Sequence, residues 1–177
     1  MQQTCFFVGN RDAPQELREE LSKAVEEVID RYQVELFVTG GRGRFDRMAA
    51  ETVQQLRGKY PRIRLCLLLA YHPAERPASL PPGYDESFYP LEKAVPARYA
   101  IMRVNRWMLA HCPVCIAGAL LPGNARRMLE YARRRAQRGE MILIELTGQG
   151  ARHPEQENGP APSSVVSGNG APPTCCC

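Results

Sequence analysis

The chain has 177 residues, of which 44% are hydrophobic and 24% are charged, so it can bury a core and its length suits one domain. Its net charge of +4 is a modest basic excess that suits anionic ligands. No apolar run approaches the roughly 20 residues of a membrane span, and the N-terminus lacks the layout of a secretory signal. We therefore expect a cytoplasmic protein without a membrane partner, and the odd number of cysteines, 7, argues against a disulfide framework.

Five short apolar runs, bounded by glycine or polar residues, alternate with segments of helical periodicity. The runs cover residues 4–8, 35–38, 63–69, 114–117 and 141–145, and they predict strands. This alternation predicts a Rossmann-like, three-layer α/β fold with a central, mainly parallel sheet of about five strands. The predicted domain covers residues 1–147.

Helices are predicted between these strands. The first covers residues 14–32, and its glutamates, Glu20 among them, are expected to point outward. The second follows Asp46, and the third and fourth cover 97–111 and 124–138. The segment 71–96 is long for a connection inside a domain, which is typical of a lid or of disorder.

The composition changes at residue 148, from where glycine, proline, serine, asparagine and glutamine dominate. Such a segment cannot offset the entropy of ordering by burying apolar surface, so residues 148–177 are expected to form a disordered tail. The tail ends in Cys175, Cys176 and Cys177, and the sequence assigns no role to these three thiols.

Glycine follows three of the five predicted strands, at the sheet edge where parallel α/β proteins bind ligands. Glycine lets the backbone approach a phosphate closely, and a neighbouring arginine can donate two hydrogen bonds to it. We therefore predict a nucleotide-like ligand here, although the chain contains neither the dinucleotide fingerprint nor the P-loop motif. The candidate binding residues at these ends are Gly9, Asn10, Arg11, Gly40, Gly41, Arg42, Gly43, Asp46, Gly118, Gly123 and Asn124.

The third predicted helix adds further candidates. Arg103 and Arg106 are one turn apart on its polar face, so they could bind the same anion. Asn105 lies at the edge of the face expected to be buried, and Tyr71 follows the third predicted strand. We include all four in the predicted binding site.

Three motifs, taken together, resemble the SLOG superfamily, and within it the small, uncharacterised bacterial YpsA-like members. They are F-F-V-G-N-R at 6–11, G-G-R-G-R-F-D-R-M-A-A at 40–50 and R-V-N-R-W-M at 103–108, within a resemblance that spans about residues 4–146. The resemblance implies a Rossmannoid fold with a pocket for nucleotide-related ligands, shared with Smf/DprA and with the LOG phosphoribohydrolases. Asn10 stands where many YpsA-like sequences have histidine, and residues 122–130 lose the central glycine and threonine of the LOG motif P-G-G-x-G-T-x-x-E.

These observations favour binding or sensing of a nucleoside phosphate or an ADP-ribose-like molecule over catalysis. The alternative is a nucleotide-processing hydrolase that cleaves an N-glycosidic bond, with Asp46, Asp85, Glu86 or Glu130 as the acid or base. No certain cofactor and no metal site are predicted, because the histidines lack metal-ligand spacing. Cys112 and Cys115 have the C-x-x-C spacing of redox and zinc sites, but no second pair accompanies them, so both are expected to pack in the core.

Interaction with a macromolecule is a further alternative. The fourth predicted helix is strongly basic, which, with the Smf/DprA resemblance, raises single-stranded DNA binding as a second alternative that we do not favour over a solvated helix face. The sequence leaves open whether the protein forms a homodimer.

Overall fold

The structure is a computed structural model, and it describes residues 3–148. Six parallel strands form one sheet in the order β4-β3-β2-β1-β5-β6. The strands are β1 (Gln3–Gly9), β2 (Val34–Thr39), β3 (Arg64–Leu68), β4 (Glu86–Phe88), β5 (Val114–Gly118) and β6 (Ile142–Glu145), and the helices are α1 (Leu17–Tyr32), α2 (Arg44–Leu56), α3 (Ala97–His111) and α4 (Asn124–Gln137).

The sheet separates two apolar clusters, which makes the fold three-layered. One cluster packs α1 and α2 against one face of the sheet, and the other packs α3 and α4 against the opposite face. The Rossmann-like α/β prediction is therefore confirmed. The chain builds the sheet outward from β1 through β2 and β3 to β4, then returns to the other side of β1 for β5 and β6. The space between β1 and β5 is thus the point where the direction of winding reverses.

The sheet has one strand more than the five expected. The additional strand, β4, lies inside the segment 71–96, pairs with β3 at the edge of the sheet and is mostly exposed. A strand of 3 residues with a serine at its centre carries no apolar alternation, so periodicity could not indicate it. The long connection is therefore partly ordered by main-chain hydrogen bonds to the sheet.

Helix α1 corrects one prediction about side-chain direction. Its apolar residues are buried as expected, but Glu20 is also buried, with an exposed fraction of 5%. The Glu20 carboxylate accepts hydrogen bonds from the N–H groups of Thr147 and Gly148, both at 2.9 Å. These two bonds satisfy the buried charge and fasten the end of the domain to α1, which is why a residue predicted to point outward points inward.

Helix starts differ slightly from those predicted. Helix α1 begins at Leu17, three residues later than predicted, because a tighter turn precedes it. In that turn the N–H groups of Leu17 and Arg18 donate to the carbonyls of Pro14 and Gln15, only three residues earlier. Helix α2 begins at Arg44, which places Asp46 inside its first turn rather than before it. Helix α3 has the predicted bounds, and α4 ends one residue earlier than predicted.

The disordered tail predicted for residues 148–177 lies, from residue 149 onward, outside the described residues. No helix among residues 3–148 is long and apolar enough to cross a membrane. The four cysteines in this range are free and buried, and burial raises the pKa of the Cys112 thiol to about 12. Within the same range, no three His, Cys, Asp or Glu side chains are grouped to hold a metal ion.

Candidate functional site

A cavity of about 410 Å³ opens at the carboxyl ends of β1 and β5, where the direction of winding reverses. Its lining combines apolar residues with polar and charged ones. The apolar lining residues are Phe6, Phe7, Val8, Gly9, Ile101, Met102, Leu121, Pro122, Ala125 and Met128. The polar and charged lining residues are Asn10, Arg11, Asp12, Gly40, Arg42, Asp46, Asn105 and Asn124.

The glycine-rich loop after β2 owes its shape to two residues with positive φ. Gly41 has φ 64° and Gly43 has φ 103°, a region that L side chains rarely adopt. A Cβ at Gly43 would lie 2.6 Å from the Arg11 Cα, so the loop can pack against the loop after β1 only without a side chain there. The Arg44 N–H donates to the Arg11 carbonyl at 2.7 Å and joins the two loops directly.

Asp46 closes the same loop from the first turn of α2. Its Oδ2 accepts the Arg42 N–H at 2.7 Å, which fixes the backbone before the helix. Burial raises the pKa of Asp46 from 3.8 to about 6, although the backbone hydrogen bond and the charge of Arg42 lower it. The cavity therefore contains a carboxyl group that exchanges its proton near neutral pH.

Arg42 is a half-buried cation of the cavity lining. Burial lowers the pKa of its guanidinium, the nearby Tyr71 and Asp46 raise it, and the charge of Arg11 lowers it further. The guanidinium carbon lies 5.6 Å from the centroid of the Tyr71 ring. Tyr71 is thus next to a residue of the cavity, but it does not itself form the wall.

Asn10 connects the two sides of the cavity. Its Nδ2 donates to the Leu121 carbonyl at 3.2 Å, and its Oδ1 accepts the Leu121 N–H at 2.9 Å. This reciprocal pair fastens the loop before α4 to the end of β1. The Asn10 amide therefore positions the backbone at Leu121.

Gly9 and Gly118 have a packing role that the sequence pattern did not indicate. They are paired across β1 and β5, and a Cβ on either would lie 2.0 or 2.2 Å from a ring atom of Phe45. The buried Phe45 ring fills the space that the two missing side chains leave. Both glycines thus allow α2 to approach the sheet closely, and Gly9 also borders the cavity.

The N-terminus of α4 borders the cavity without a side-chain cap. Gly123, at φ 129°, precedes the helix, and Asn124 and Ala125 of the first turn line the cavity. The first turn contains no acidic residue. Uncapped N–H groups and the positive end of the helix dipole are therefore directed to this side of the cavity, where they favour an anion.

Helix α3 presents Ile101, Met102 and Asn105 to the cavity. Arg103 and Arg106, which the sequence placed in the site, are exposed on another face, and the Arg106 guanidinium carbon lies 4.6 Å from the Tyr131 ring centroid. Asn105 is one helical turn after Ile101 and Met102, so the three residues lie on the same face of α3. Helical periodicity centred on Asn105, rather than on the arginines, would therefore have indicated the face that lines the cavity.

The four carboxylates considered for catalysis separate into two groups. Only Asp46 lines the cavity. Asp85, which pairs with Arg57, and Glu86, which lies 3.3 Å from Arg64, are at the start of β4 and hence at the opposite edge of the sheet. Glu130 is exposed on α4, beyond the turn that lines the cavity.

Half of the basic residues proposed for a DNA-binding face are neutralised within the domain. Arg133 donates two hydrogen bonds to Glu145, and Arg135 and Arg138 both pair with Glu140. Arg126, Arg127 and Arg134 form no ion pair with another described residue. The charge of α4 available to nucleic acid is therefore smaller than the sequence indicates.

No protein-family model matches this chain, and no curated protein matches its sequence. Among solved structures it is similar to the Moco carrier protein from Chlamydomonas reinhardtii, at 13% identity and a TM-score of 0.48, over 82% of this chain and 76% of that chain. A second structure of that carrier is similar to this chain at 9% identity and a TM-score of 0.48. The X-ray structure of TM1055 is matched at 13% identity and 0.48, over 80% of this chain and 77% of that chain. Membership of the SLOG superfamily stays a prediction that rests on the sequence motifs.

Proposed function

We propose that this protein is a cytoplasmic binding or sensing protein for a nucleotide-derived ligand, a nucleoside phosphate or an ADP-ribose-like molecule. The observation that carries the proposal is the position of the cavity at the reversal between β1 and β5, the place where open α/β sheets bind nucleotides. The volume of about 410 Å³ is within the range of small-molecule sites.

The lining offers the two kinds of contact that a nucleotide needs. A base can pack against the apolar side chains of Ile101, Met102 and Met128, with the Asn105 amide as hydrogen-bond donor and acceptor at their edge. Phosphate can bind Arg11 and Arg42, within reach of the uncapped first turn of α4. This combination of apolar and cationic lining residues supports a ligand that carries both a planar base and an anionic group.

Thermal denaturation with a panel of nucleosides and nucleotides tests the proposal. A ligand that binds only the folded state raises the free energy of unfolding by about 2.7 kcal/mol when its concentration is one hundred times the dissociation constant. This raises the melting temperature by several degrees. We expect such a shift with adenine nucleotides, and we expect Arg42→Ala to remove most of it because the half-buried guanidinium is lost from the cavity wall.

Arg62→Ala is the matched control for that experiment. Arg62 is 84% exposed, pairs with Glu35 at 3.8 Å and precedes β3, at the edge of the sheet opposite the cavity. Its loss removes the same charge from the protein without touching the cavity. The absence of a shift with every nucleotide, or equal shifts in wild type and Arg42→Ala, contradicts the proposal.

Asp46 supports a second candidate function, hydrolysis of the bound nucleotide. Its carboxyl group lines the cavity and has a pKa of about 6, which suits a general acid or base near neutral pH. Chromatography of nucleotides incubated with the protein should then reveal free base, sugar phosphate or phosphate, and Asp46→Asn should abolish the product. Saturable binding without product over a long incubation eliminates hydrolysis and leaves the sensor.

A further inference from the structure

Tyr71 holds a second arginine beside the cavity. The guanidinium carbon of Arg76 lies 4.0 Å from the centroid of the Tyr71 ring, and that of Arg42 lies 5.6 Å from the same centroid. An aromatic ring attracts cations through its negative face, so Tyr71 contacts both guanidinium groups. Arg42 lines the cavity, and Arg76 lies over the same tyrosine ring, next to this lining residue.

A short turn sets the position of Arg76. The N–H groups of Glu75 and Arg76 donate to the His72 carbonyl at 2.9 and 3.0 Å, and the Ala74 N–H donates to His72 Nδ1 at 3.2 Å. The His72 ring packs edge-on against Tyr89, with 5.2 Å between the ring centroids. Arg76 is therefore exposed but carried by an ordered turn that returns its side chain to Tyr71.

The three arginines near Tyr71 and the cavity form no ion pair. Among residues 3–148, no carboxylate lies within ion-pair distance of Arg11, Arg42 or Arg76. Burial lowers the pKa of Arg42, the nearby Tyr71 and Asp46 raise it, and the charge of Arg11 lowers it. The adjacent acid, Asp46, accepts the backbone N–H of Arg42 instead. Like charges held close together repel each other, and a bound anion would relieve that repulsion.

We propose that Arg11, Arg42 and Arg76 bind two linked phosphoryl groups, so that the ligand is a nucleoside diphosphate or a molecule that contains one, as an ADP-ribose-like ligand does. Arg11 and Arg42 hold the phosphoryl group inside the cavity, and Arg76 holds the next one at the rim. A guanidinium carries five N–H donors, so an arginine that lies over the Tyr71 ring can still donate to a phosphoryl oxygen. This inference rests on the proposed function.

Calorimetric titration of the full chain with adenosine, AMP and ADP, without divalent cations, tests the inference. Hydrogen bonds between charged partners predict that ADP binds about tenfold more tightly than AMP. In Arg76→Gln the two affinities should become equal within about twofold, while AMP binds as it does to the wild type. Arg76→Lys, which keeps the charge but not the planar group, should retain only part of the preference.

Arg31→Gln is the control. The Arg31 guanidinium carbon also lies over a tyrosine ring, 5.4 Å from the centroid of Tyr32, but at the end of α1, on the edge of the sheet opposite the cavity. This variant should keep the preference for ADP. Equal affinities for AMP and ADP in the wild type, or an unchanged preference in Arg76→Gln, overturn the diphosphate inference and leave the proposed function intact. Failure of all three compounds to bind overturns both.

Discussion

The cavity rim and helix α4 are both rich in arginine, but they use it differently. On α4 and at the residue that ends it, Arg133 pairs with Glu145, and Arg135 and Arg138 share Glu140. At the rim, Arg11, Arg42 and Arg76 pair with no carboxylate of residues 3–148. The arginines of α4 that pair with glutamate stabilise the domain, whereas those of the rim are available to a ligand. Density of arginine in a sequence therefore does not locate the binding site unless its partners are known.

The carboxyl groups of the two regions differ in the same way. Hydrogen bonds from Arg138 and Arg135 lower the pKa of the exposed Glu140 to about 2. Burial raises the pKa of Asp46 to about 6, although the backbone hydrogen bond and the charge of Arg42 lower it. The surroundings therefore favour the charged form of the glutamate and the neutral form of the aspartate.

The largest expected effect comes from replacing Asp46 by asparagine. A folded-state pKa above the unfolded value means that the folded protein binds the extra proton between pH 3.8 and about 6, so stability from this group falls as pH rises through that window. We expect Asp46→Asn to raise the free energy of unfolding by about 1–3 kcal/mol at pH 7.5, since it removes the buried charge. Urea unfolding between pH 4 and 8 measures the gain, which should vanish near pH 4.

Asp12→Asn is the control for this change. Asp12 lies on the same cavity but is exposed, so the neutral variant should alter the free energy of unfolding by less than about 0.5 kcal/mol at any pH. A loss of stability in Asp46→Asn at pH 7.5 would show that the charge of Asp46 stabilises the rim, contrary to the contrast drawn with Glu140.

Truncation of Arg135 should have the next largest effect, on stability alone. This side chain is 13% exposed and donates both to the Glu140 carboxylate and to the Leu109 carbonyl, which ties α4 to α3. Arg135→Ala should lower the free energy of unfolding by about 2 kcal/mol, because it removes charge-assisted hydrogen bonds that are partly buried. Urea unfolding measures this loss, and calorimetry should give an unchanged affinity for ADP. A weaker affinity for ADP would place α4 in the site.

Arg133→Ala should have the smallest effect. Arg133 and Glu145 form a two-bonded pair, but their side chains are 42% and 32% exposed. An exposed pair of this kind contributes about 0.5 kcal/mol, so the melting temperature should fall by only a few degrees, and less in high salt. A large loss of nucleotide affinity in this variant would mean that the α4 arginines, not the rim, carry ligand binding.

The layered fold and most helix bounds could be predicted because they depend on local apolar periodicity. Helix α3, with its repeating buried residues, was predicted to the residue at both ends. Strand β4 could not be predicted, since its 3 residues pair through main-chain atoms with β3 and carry no pattern of their own. Glu20 could not be predicted to be buried, because its partners, Thr147 and Gly148, are far away in the sequence.

The structure brings together the candidate residues that depend on strand ends and separates those that depend on side-chain direction. The loops around Arg11 and Arg42 meet at the cavity because parallel strands end at the same edge. On α3 the arginine pair suggested an anion site, yet the helix turns Asn105 and Met102 to the cavity and leaves Arg103 exposed. Arg76 was not recognised, since only the folded turn after His72 brings it to Tyr71.

A crystal structure of the protein with saturating ADP tests the central claim most directly. We predict density in the cavity between β1 and β5, with the base against Ile101 and Met128 and the phosphoryl groups within hydrogen-bond distance of Arg42 and Arg76. Density for ADP on the exposed arginines of α4, or an empty cavity in a crystal that contains saturating ADP, would contradict the account.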